Sequence, residues 1–229
     1  MAHVDLSFQL GGQELAADHG YQLFSAVAEV VPELHNRGRE VSPDPSDPLA
    51  GWATVAIHPV QGKLTGGRRI TLTSRSRLTV RVPGEFIDRL LPLVGKTLVV
   101  AGARLKVGPP VILPLRPSAT LTSRLVLIKG FADPVGFLEA VGRQAQALDV
   151  AAAPTILRRR AAASVEGRTA RQSPDGDLLR RTIRIHDKEI VGYAVGFQGL
   201  TAEESIRLQE HGIGGRRKLG CGVFTPTAR

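Results

Sequence analysis

Hydrophobic and polar residues alternate at the start of the chain and then change to a helical spacing. Over residues 4–10, Val, Leu and Phe alternate with Asp, Ser and Gln, which is typical of a strand with one buried face. Gly11-Gly12 ends that strand. Over residues 23–34 the apolar positions recur every three or four residues, which predicts an amphipathic helix that begins near Asp18 and ends near His35.

The same order of predicted elements occurs twice along the chain. In the first half, strand patterns cover residues 53–58, 70–73 and 78–82, followed by a short helix over 85–93 and a strand over 97–105. In the second half, the pattern predicts a strand over 125–129, a helix over 134–148, a hairpin over 180–185 and 190–197, a helix over 202–211 and a strand over 222–225. Apart from one additional strand pattern in the first half, each half has the order β-α-β-β-α-β, the ferredoxin-like arrangement with both helices on one face of an antiparallel sheet. The predicted fold class is α+β, with two tandem domains of this kind.

Prolines mark two irregular segments. Three prolines within residues 43–48 predict a loop after the first helix, because proline lacks the backbone N–H donor. Four more between residues 109 and 117 predict an extended linker or an edge strand. A linker at that point divides the chain into an N-terminal domain, residues 1–117, and a C-terminal domain, residues 118–229.

The chain carries a large excess of positive charge. It has 30 Lys and Arg against 21 Asp and Glu, a net charge of +9, together with a globular content of 42% hydrophobic residues. Such a protein is attracted to polyanions, although charge alone does not distinguish nucleic acid from an acidic membrane surface. No apolar run approaches the roughly 20 residues of a membrane span, and the N-terminus lacks the pattern of a signal peptide. We therefore expect a cytoplasmic protein without a membrane partner.

Cysteine usage limits the chemistry further. Cys221 is the only cysteine, which excludes an internal disulfide and a cysteine-based zinc site. A small buried residue beside a glycine turn is its expected role. We predict neither a metal ion nor a cofactor.

A glycine-rich segment over residues 211–224 combines five glycines with three consecutive cations. Glycine has no Cβ and permits positive φ, so successive backbone N–H groups can point at one phosphate while the cations neutralise it. The glycines follow a predicted helix and precede a strand, which is the reverse of a dinucleotide-binding fingerprint. A flexible basic turn is the alternative to a phosphate clamp. The predicted clamp consists of Gly212, Gly214, Gly215, Arg216, Arg217, Lys218, Gly220 and Gly222.

Arginines also gather outside the glycine-rich segment. Two clusters in predicted loops, which could grip a nucleic acid stem or could be solvated charge, contain Arg68, Arg69, Arg158, Arg159 and Arg160. Three further arginines alternate along a predicted strand at 75, 77 and 81. A period of two places their side chains on one face of a sheet, where the phosphates of an A-form RNA could meet them.

The glycine-rich segment closely resembles the C-terminal loop of the CRISPR-associated endoribonucleases of the RAMP superfamily, which cut precursor guide RNA within its repeats. The match lies in Gly-x-Gly at 212–214 and Gly-x-Gly-x-Phe at 220–224, between a predicted helix and a predicted strand. The N-terminal runs Asp-His-Gly-Tyr-Gln-Leu-Phe at 18–24 and Glu-Leu-His at 33–35 are also similar to that family. With the tandem ferredoxin-like plan, the resemblance covers essentially the whole chain.

Two further runs, Ala-Ile-His-Pro-Val at 56–60 and Ile-Lys-Gly-Phe at 128–131, are most similar to the myxobacterial-type subgroup. The resemblance implies metal-independent cleavage, in which the ribose 2′-OH attacks the adjacent phosphate and leaves a 2′,3′-cyclic phosphate and a 5′-hydroxyl. It implies CRISPR repeat RNA as partner, both the stem-loop precursor and the mature guide, together with other subunits of a CRISPR surveillance complex. The alternative function is a non-catalytic guide-RNA-binding subunit of such a complex.

Histidine suits this chemistry, because its unperturbed pKa of about 6.5 lets it take or supply a proton near neutral pH. His35 matches the family position at the end of the first helix and is the candidate general base, with a structural or solvent-facing residue as the alternative. His58, after a strand, is the second choice, and His19 is more readily a cap or packing residue. Relatives add a lysine or tyrosine, but no lysine closely follows His35. Arg37 is a candidate only for stabilising phosphorane charge. The N-terminal domain would then carry the catalytic histidine and the C-terminal domain the RNA-binding loop.

Overall fold

The computed structural model describes residues 2–35, 50–131, 133–159 and 176–227. Three features predicted from the sequence lie outside these residues: Arg37, Arg160 and the proline-rich loop at 43–48. The described residues form two compact units. The first unit contains those up to Arg116 together with 184–186 and 216–220, and the second unit contains the remainder.

Most strands of the first unit form one five-stranded antiparallel sheet. In chain order its strands and helices are β1 His3–Gly11, β2 Glu14–Ala16, α1 Gly20–Val30, β3 Ala56–Ile57, β4 Lys63–Gly66, β5 Arg69–Thr71, β6 Arg77–Pro83, α2 Ile87–Leu90, β7 Thr97–Val100 and β8 Ala103–Pro114. The sheet has the order β3-β6-β1-β8-β7, while β2, β5 and β4 form a separate small sheet. With β1, β3, β6 and β8 numbered one to four, the order is 2-3-1-4, as in a ferredoxin-like sheet.

The period of two in β1 separates the two faces of this sheet. Leu6 and Phe8 are fully buried in the core of the first unit, together with Leu23 and Val27 of α1. The residues that alternate with them along the strand, such as Asp5 and Ser7, point to the opposite face. That opposite face is therefore where the polar side chains of β1 meet those of its neighbours.

The predicted strand over 97–105 is wrong as a single strand. A turn with positive φ at Ala101 and Gly102 divides it into β7 and β8. Pro109, Pro110 and Pro114 lie within β8, which pairs with β1 as far as Pro114, so the edge-strand interpretation holds for them. Pro117 lies after β8, in the segment that leads to the second unit. β7 pairs with β8 only as far as Lys106, and prolines are tolerated beyond that point because no strand needs their missing N–H on that side.

The second unit repeats the strand order of the first. Its elements are β9 Thr120–Val126, α3 Pro134–Gln146, β10 Pro154–Ile156, β11 Arg180–Ile185, β12 Lys188–Gln198, α4 Ala202–His211 and β13 Thr225–Pro226. The sheet order β10-β12-β9-β13 is again 2-3-1-4, with β11 paired to β12 as a hairpin. Phe137 and Val141 of α3 pack with Phe197 and Phe224 in a separate core. The predicted α+β class with two ferredoxin-like units is confirmed.

The longer helices of the second unit begin at side-chain caps. Asp133 accepts a hydrogen bond from the Gly136 amide at 2.7 Å at the start of α3. At the start of α4, Thr201 and Glu204 each bond the other's backbone N–H, which is a capping box. None of the helices in the described part of the chain is both long and apolar enough to cross a membrane.

Candidate functional site

A buried ion pair lies on the polar face of the first sheet. The register of β1 and β6 places Asp5 directly opposite Arg81. Arg81 donates from Nε to Asp5 Oδ1 at 2.8 Å and from Nη2 to Oδ2 at 2.9 Å, and its side chain is 1% exposed. Burial opposes ionisation of Asp5, but the contacts with His58 and Arg81 outweigh it and hold the pKa of Asp5 well below its usual value. The carboxylate is therefore charged throughout the neutral range.

His58 lies beside this pair. Its backbone N–H donates to the Thr79 carbonyl at 2.9 Å, which extends the pairing of β3 with β6 by one residue. Its Nε2 lies 3.3 Å from Asp5 Oδ1 without meeting the geometry of a hydrogen bond. Burial lowers the pKa of His58, and the guanidinium groups of Arg81 and Arg217 lower it further, against the opposing effect of Asp5. His58 is thus a neutral, largely enclosed imidazole at neutral pH.

Arg217 brings a third cationic group to the same face. It begins a 3₁₀ turn, Arg217–Leu219, that packs against α1 and β3. Its side chain is only 8% exposed, and its Nε and Nη2 have no hydrogen-bond partner among the described residues. Burial and the charge of Arg81 lower the pKa of Arg217 to about 9. A buried guanidinium with unused donors leaves net positive charge beside the Asp5–Arg81 pair.

Lys218 points to the end of the first helix. Its Nζ donates to the carbonyl of Leu34 at 2.9 Å, so the ammonium lies against the residue that precedes His35. The side chain is half-buried, and burial lowers the pKa of Lys218 to about 8. The glycine-rich segment therefore brings a lysine to His35 that the local sequence around His35 lacks.

His35 itself is exposed. It follows a 3₁₀ turn, Pro32–Leu34, and its ring lies edge-on to Phe24 with 5.1 Å between the ring centroids. His35, Lys218, Arg217 and His58 all belong to the first compact unit. The exposed imidazole of His35 and the half-buried ammonium of Lys218, which lies against the preceding residue, can together exchange protons with a bound substrate.

His19 has a structural role. It is buried, and its Nδ1 lies 2.7 Å from the Ala16 carbonyl while its Nε2 accepts from the Val60 amide at 3.0 Å. A carbonyl on one nitrogen and an N–H on the other fix a single neutral tautomer. No group of three or more His, Cys, Asp or Glu side chains that could hold a metal ion occurs within the described ranges.

The glycines of the segment serve its internal packing. Each of its five glycines donates its backbone N–H to an acceptor within the chain: Gly212, Gly214, Gly215, Gly220 and Gly222. Gly222, for example, donates to the Leu125 carbonyl at 2.7 Å. The main-chain donors that the sequence suggested for phosphate are therefore engaged in this conformation. Of the three cations, Arg216 is exposed, Lys218 half-buried and Arg217 buried, and binding of RNA by these residues stays a prediction.

The packing at Gly222 predicts a large effect of substitution. Its φ is +64°, and a Cβ there would clash with the Ile213 carbonyl oxygen. Gly222→Ala is expected to lower the free energy of unfolding by about 2–5 kcal/mol, from left-handed strain plus overpacking. Gly215→Ala is the matched control, because its Cβ would meet no atom within 4 Å, and it should change stability by less than about 1 kcal/mol. Denaturant unfolding of both variants measures the difference, and equal midpoints would contradict the packing argument.

The other predicted cations are dispersed. Arg68 sits at a turn with φ +57°, and its neighbour Arg69 donates to Glu14 Oε2 at 2.8 Å on the surface. Arg158 and Arg159 are exposed. In the predicted arginine stripe, the residue at 75 precedes β6, and the residue at 81 is buried against Asp5. The prediction of one RNA-facing stripe is wrong, because alternation gives the face of a sheet but not its exposure.

Some charged residues of these surfaces carry no sequence signal. The Asp5–Arg81 pair joins residues separated by 76 positions; no pattern singled out Asp5, and Arg81 was singled out only as part of the arginine stripe. In the second unit, burial and the charges of Arg124 and Arg159 lower the pKa of Arg181. This basic cluster joins one predicted cation to two that the patterns did not single out. Only the strand pairing could have revealed it.

Comparison with known proteins identifies relatives over the full length of the chain. A family model described as "Cas6 Crispr" matches residues 4–229. The CRISPR-associated endonuclease Cas6 of Myxococcus xanthus (strain DK1622) is 34% identical over 229 residues, which is 100% of this chain and 84% of that protein.

Solved structures with a similar fold have low sequence identity. One, a CRISPR-associated protein Cas6, superposes with a TM-score of 0.59 at 14% identity and covers 99% of both chains. A second, from the characterization of a Cas6-related gene from Pyrococcus furiosus, has a TM-score of 0.62 at 10% identity and covers 97% of this chain and 98% of the other. These superpositions cover both units and show that the fold is shared with these structures.

Proposed function

This chain belongs to the Cas6 family of CRISPR-associated proteins, and on that basis we propose that it is an endoribonuclease that cuts precursor CRISPR RNA within its repeats. The single observation that carries the proposal is the position of Lys218, whose ammonium lies against the residue preceding the exposed His35. Together they offer a proton acceptor and a cation on one surface. Cleavage of RNA through its own 2′-OH needs those two functions at the scissile phosphate.

The proposed reaction uses no metal ion. The 2′-oxygen attacks the adjacent phosphorus, the 5′-oxygen leaves, and the products end in a 2′,3′-cyclic phosphate and a 5′-hydroxyl. His35 takes the 2′-OH proton. Arg37, which follows it by two residues, remains a proposed stabiliser of the phosphorane charge from the sequence alone.

His35 is preferred over His58 as the base because of accessibility. His58 is largely enclosed, and burial together with two guanidinium groups lowers its pKa. Its neighbour Asp5 is already held by Arg81 through two hydrogen bonds. These contacts support a positioning role for His58 beneath the loop, whereas the ring of His35 is open to a substrate.

Repeat RNA, as stem-loop precursor and as mature guide, is the proposed partner. Exposed cations that could follow its backbone include Arg216, Arg68, Arg158 and Arg159. In this proposal residues 1–117 supply the base and residues 118–229 most of the RNA-binding segment. A cytoplasmic location, and association with other subunits of a surveillance complex after cleavage, belong to the same proposal.

Cleavage in excess EDTA tests the reaction. The purified protein is incubated with a repeat stem-loop RNA, and the ends of the products are identified after phosphatase treatment and mass spectrometry. We expect one cut with a cyclic phosphate on the upstream fragment. The matched substrate has a 2′-deoxyribose at the mapped cut and should bind but not be cleaved.

The possible outcomes separate the candidate functions. Cleavage that needs Mg²⁺, or that proceeds on the deoxy substrate, contradicts the proposed mechanism. Binding of repeat RNA without any cleavage would instead indicate the non-catalytic guide-RNA-binding subunit.

A further inference from the structure

We infer that Lys218 is the general acid of this reaction and donates a proton to the departing 5′-oxygen. The inference rests on the proposed function and deepens it by assigning the second proton transfer. The glycine-rich segment would then contribute to the chemistry in addition to RNA binding. In the local sequence no lysine closely follows His35, and the fold supplies one from the other end of the chain.

The position of Lys218 carries the argument. Residues 217–219 form a 3₁₀ turn that packs against α1, the helix that leads to His35. From that turn Lys218 reaches the Leu34 carbonyl with Nζ at 2.9 Å. This carbonyl belongs to the peptide unit that joins Leu34 to the Cα of His35. The ammonium is thus fixed beside the backbone of the proposed base.

Among the described residues, no carboxylate neutralises the charge of Lys218. Titratable groups of the elements packed around the turn belong to Tyr21, Glu29, Glu33, His35 and His58. None of these side chains pairs with Lys218 in the part of the chain that the structure describes, and the nearby Glu33 lies 3.9 Å from Arg89 instead. The hydrogen bond to Leu34 uses one of three N–H donors. Two protons therefore remain for a substrate oxygen.

The acidity of Lys218 fits proton donation. Burial lowers its pKa to about 8, so the ammonium is protonated at neutral pH yet gives up its proton more readily than an ordinary lysine. A general acid works best when its pKa lies near the operating pH. Neither Arg216 nor Arg217 offers this combination, since the first is exposed and the second is a guanidinium whose pKa is lowered only to about 9.

The proton balance closes. Neutral His35 removes the 2′-OH proton as the 2′-oxygen bonds to phosphorus. The bond from phosphorus to the 5′-oxygen breaks, and the leaving oxygen takes a proton from the Lys218 ammonium. The products are the cyclic phosphate, the 5′-hydroxyl, a protonated His35 and a neutral Lys218 amine. Transfer of one proton from the imidazolium to the amine through solvent restores the starting state, and no net proton is consumed.

A substrate with sulfur in place of the bridging 5′-oxygen tests the role directly. A thiolate leaves without protonation, so a missing general acid matters little on this RNA. We expect Lys218→Met to slow single-turnover cleavage of the oxygen substrate by about 10²–10⁴-fold. The same variant should cleave the sulfur substrate at nearly the rate of the unchanged protein. Lys96→Met removes an exposed lysine elsewhere in the first unit and should leave both rates unchanged.

The pH dependence supplies a second readout. With the oxygen substrate the rate should fall above about pH 8, as Lys218 loses its proton. That alkaline decline should be absent with the sulfur substrate. It should also be absent in Lys218→Arg, because a guanidinium keeps its proton there.

The outcomes distinguish this inference from the proposed function. If the unchanged protein does not cleave repeat RNA, the proposed function fails. If it cleaves, but Lys218→Met is equally slow on both substrates with its melting temperature preserved, Lys218 is not the acid and acts in binding or positioning. Cleavage of the oxygen substrate by Lys218→Met at the rate of the unchanged protein overturns the inference outright.

Discussion

Replacing His35 with alanine is expected to slow cleavage of repeat RNA by about 10²–10⁴-fold, the usual contribution of a general base. The variant should bind the RNA normally, because the exposed cations proposed to follow the RNA backbone are unchanged. It should also fold, since the edge-on contact with Phe24 is worth only about 0.5–1.5 kcal/mol. Single-turnover rates at saturating protein, with affinity measured separately, test the prediction.

Chemical rescue strengthens that test. Imidazole added to His35→Ala should restore part of the lost rate. Use of the sulfur-bridged substrate should not restore the rate of this variant, because a better leaving group does not replace the base that removes the 2′-OH proton. His186→Ala is the matched control, because His186 is exposed. Within the described residues, its ring forms a hydrogen bond with the Tyr21 hydroxyl at 3.1 Å. Full activity of His35→Ala, with loss of activity in a folded His58→Asn variant, would transfer the role of base to His58.

Removal of the buried charge at Asp5 is expected to destabilise the folded protein strongly. Asp5→Asn leaves Arg81 and the nearby Arg217 without a compensating anion in a nearly solvent-free site. Breaking a buried ion pair by removing one partner costs about 3–5 kcal/mol. Because the Asp5 side chain is 17% exposed, we expect the lower end, about 3 kcal/mol, which corresponds to a fall of about 6–12 °C in Tm for a chain of this size.

The effect of Asp5 should depend on pH in a defined direction. The pKa of Asp5 is lower in the folded protein than in the unfolded chain, so the pair contributes its full stabilisation above the ordinary carboxyl pKa of about 4. As the pH falls below that value, the unfolded state takes up a proton first and the contribution declines. The Tm difference between the unchanged protein and Asp5→Asn should therefore narrow from pH 7 towards pH 3.

An exposed pair provides the control for this experiment. Glu14 and Arg69 also form a carboxylate–guanidinium contact at 2.8 Å, but their side chains are 44% and 53% exposed. Glu14→Gln should change stability by less than about 1 kcal/mol. Equal effects of the two substitutions would show that the buried pair is no stronger than a surface pair.

Local patterns predicted the elements with strong caps most accurately. The helix predicted over 202–211 has the same bounds in the structure, because Thr201 and Glu204 form a capping box and Gly212 ends the helix with positive φ. The hairpin over 180–185 and 190–197 is also confirmed, with β12 beginning two residues earlier. Short strands were predicted less well: the pattern over 53–58 yields only the two residues of β3.

The family of the chain and its fold could be recognised from the sequence. The predicted similarity to myxobacterial relatives is confirmed by the Myxococcus xanthus protein. Periodicity, caps and glycine spacing are local properties, and they are written in neighbouring residues. The candidate site is not local. Lys218 reaches a carbonyl 184 positions away, and Asp5 meets Arg81 across 76 positions. Which cations are buried, and which one lies beside His35, follows from strand pairing and packing, because only the folded chain brings such distant residues into contact.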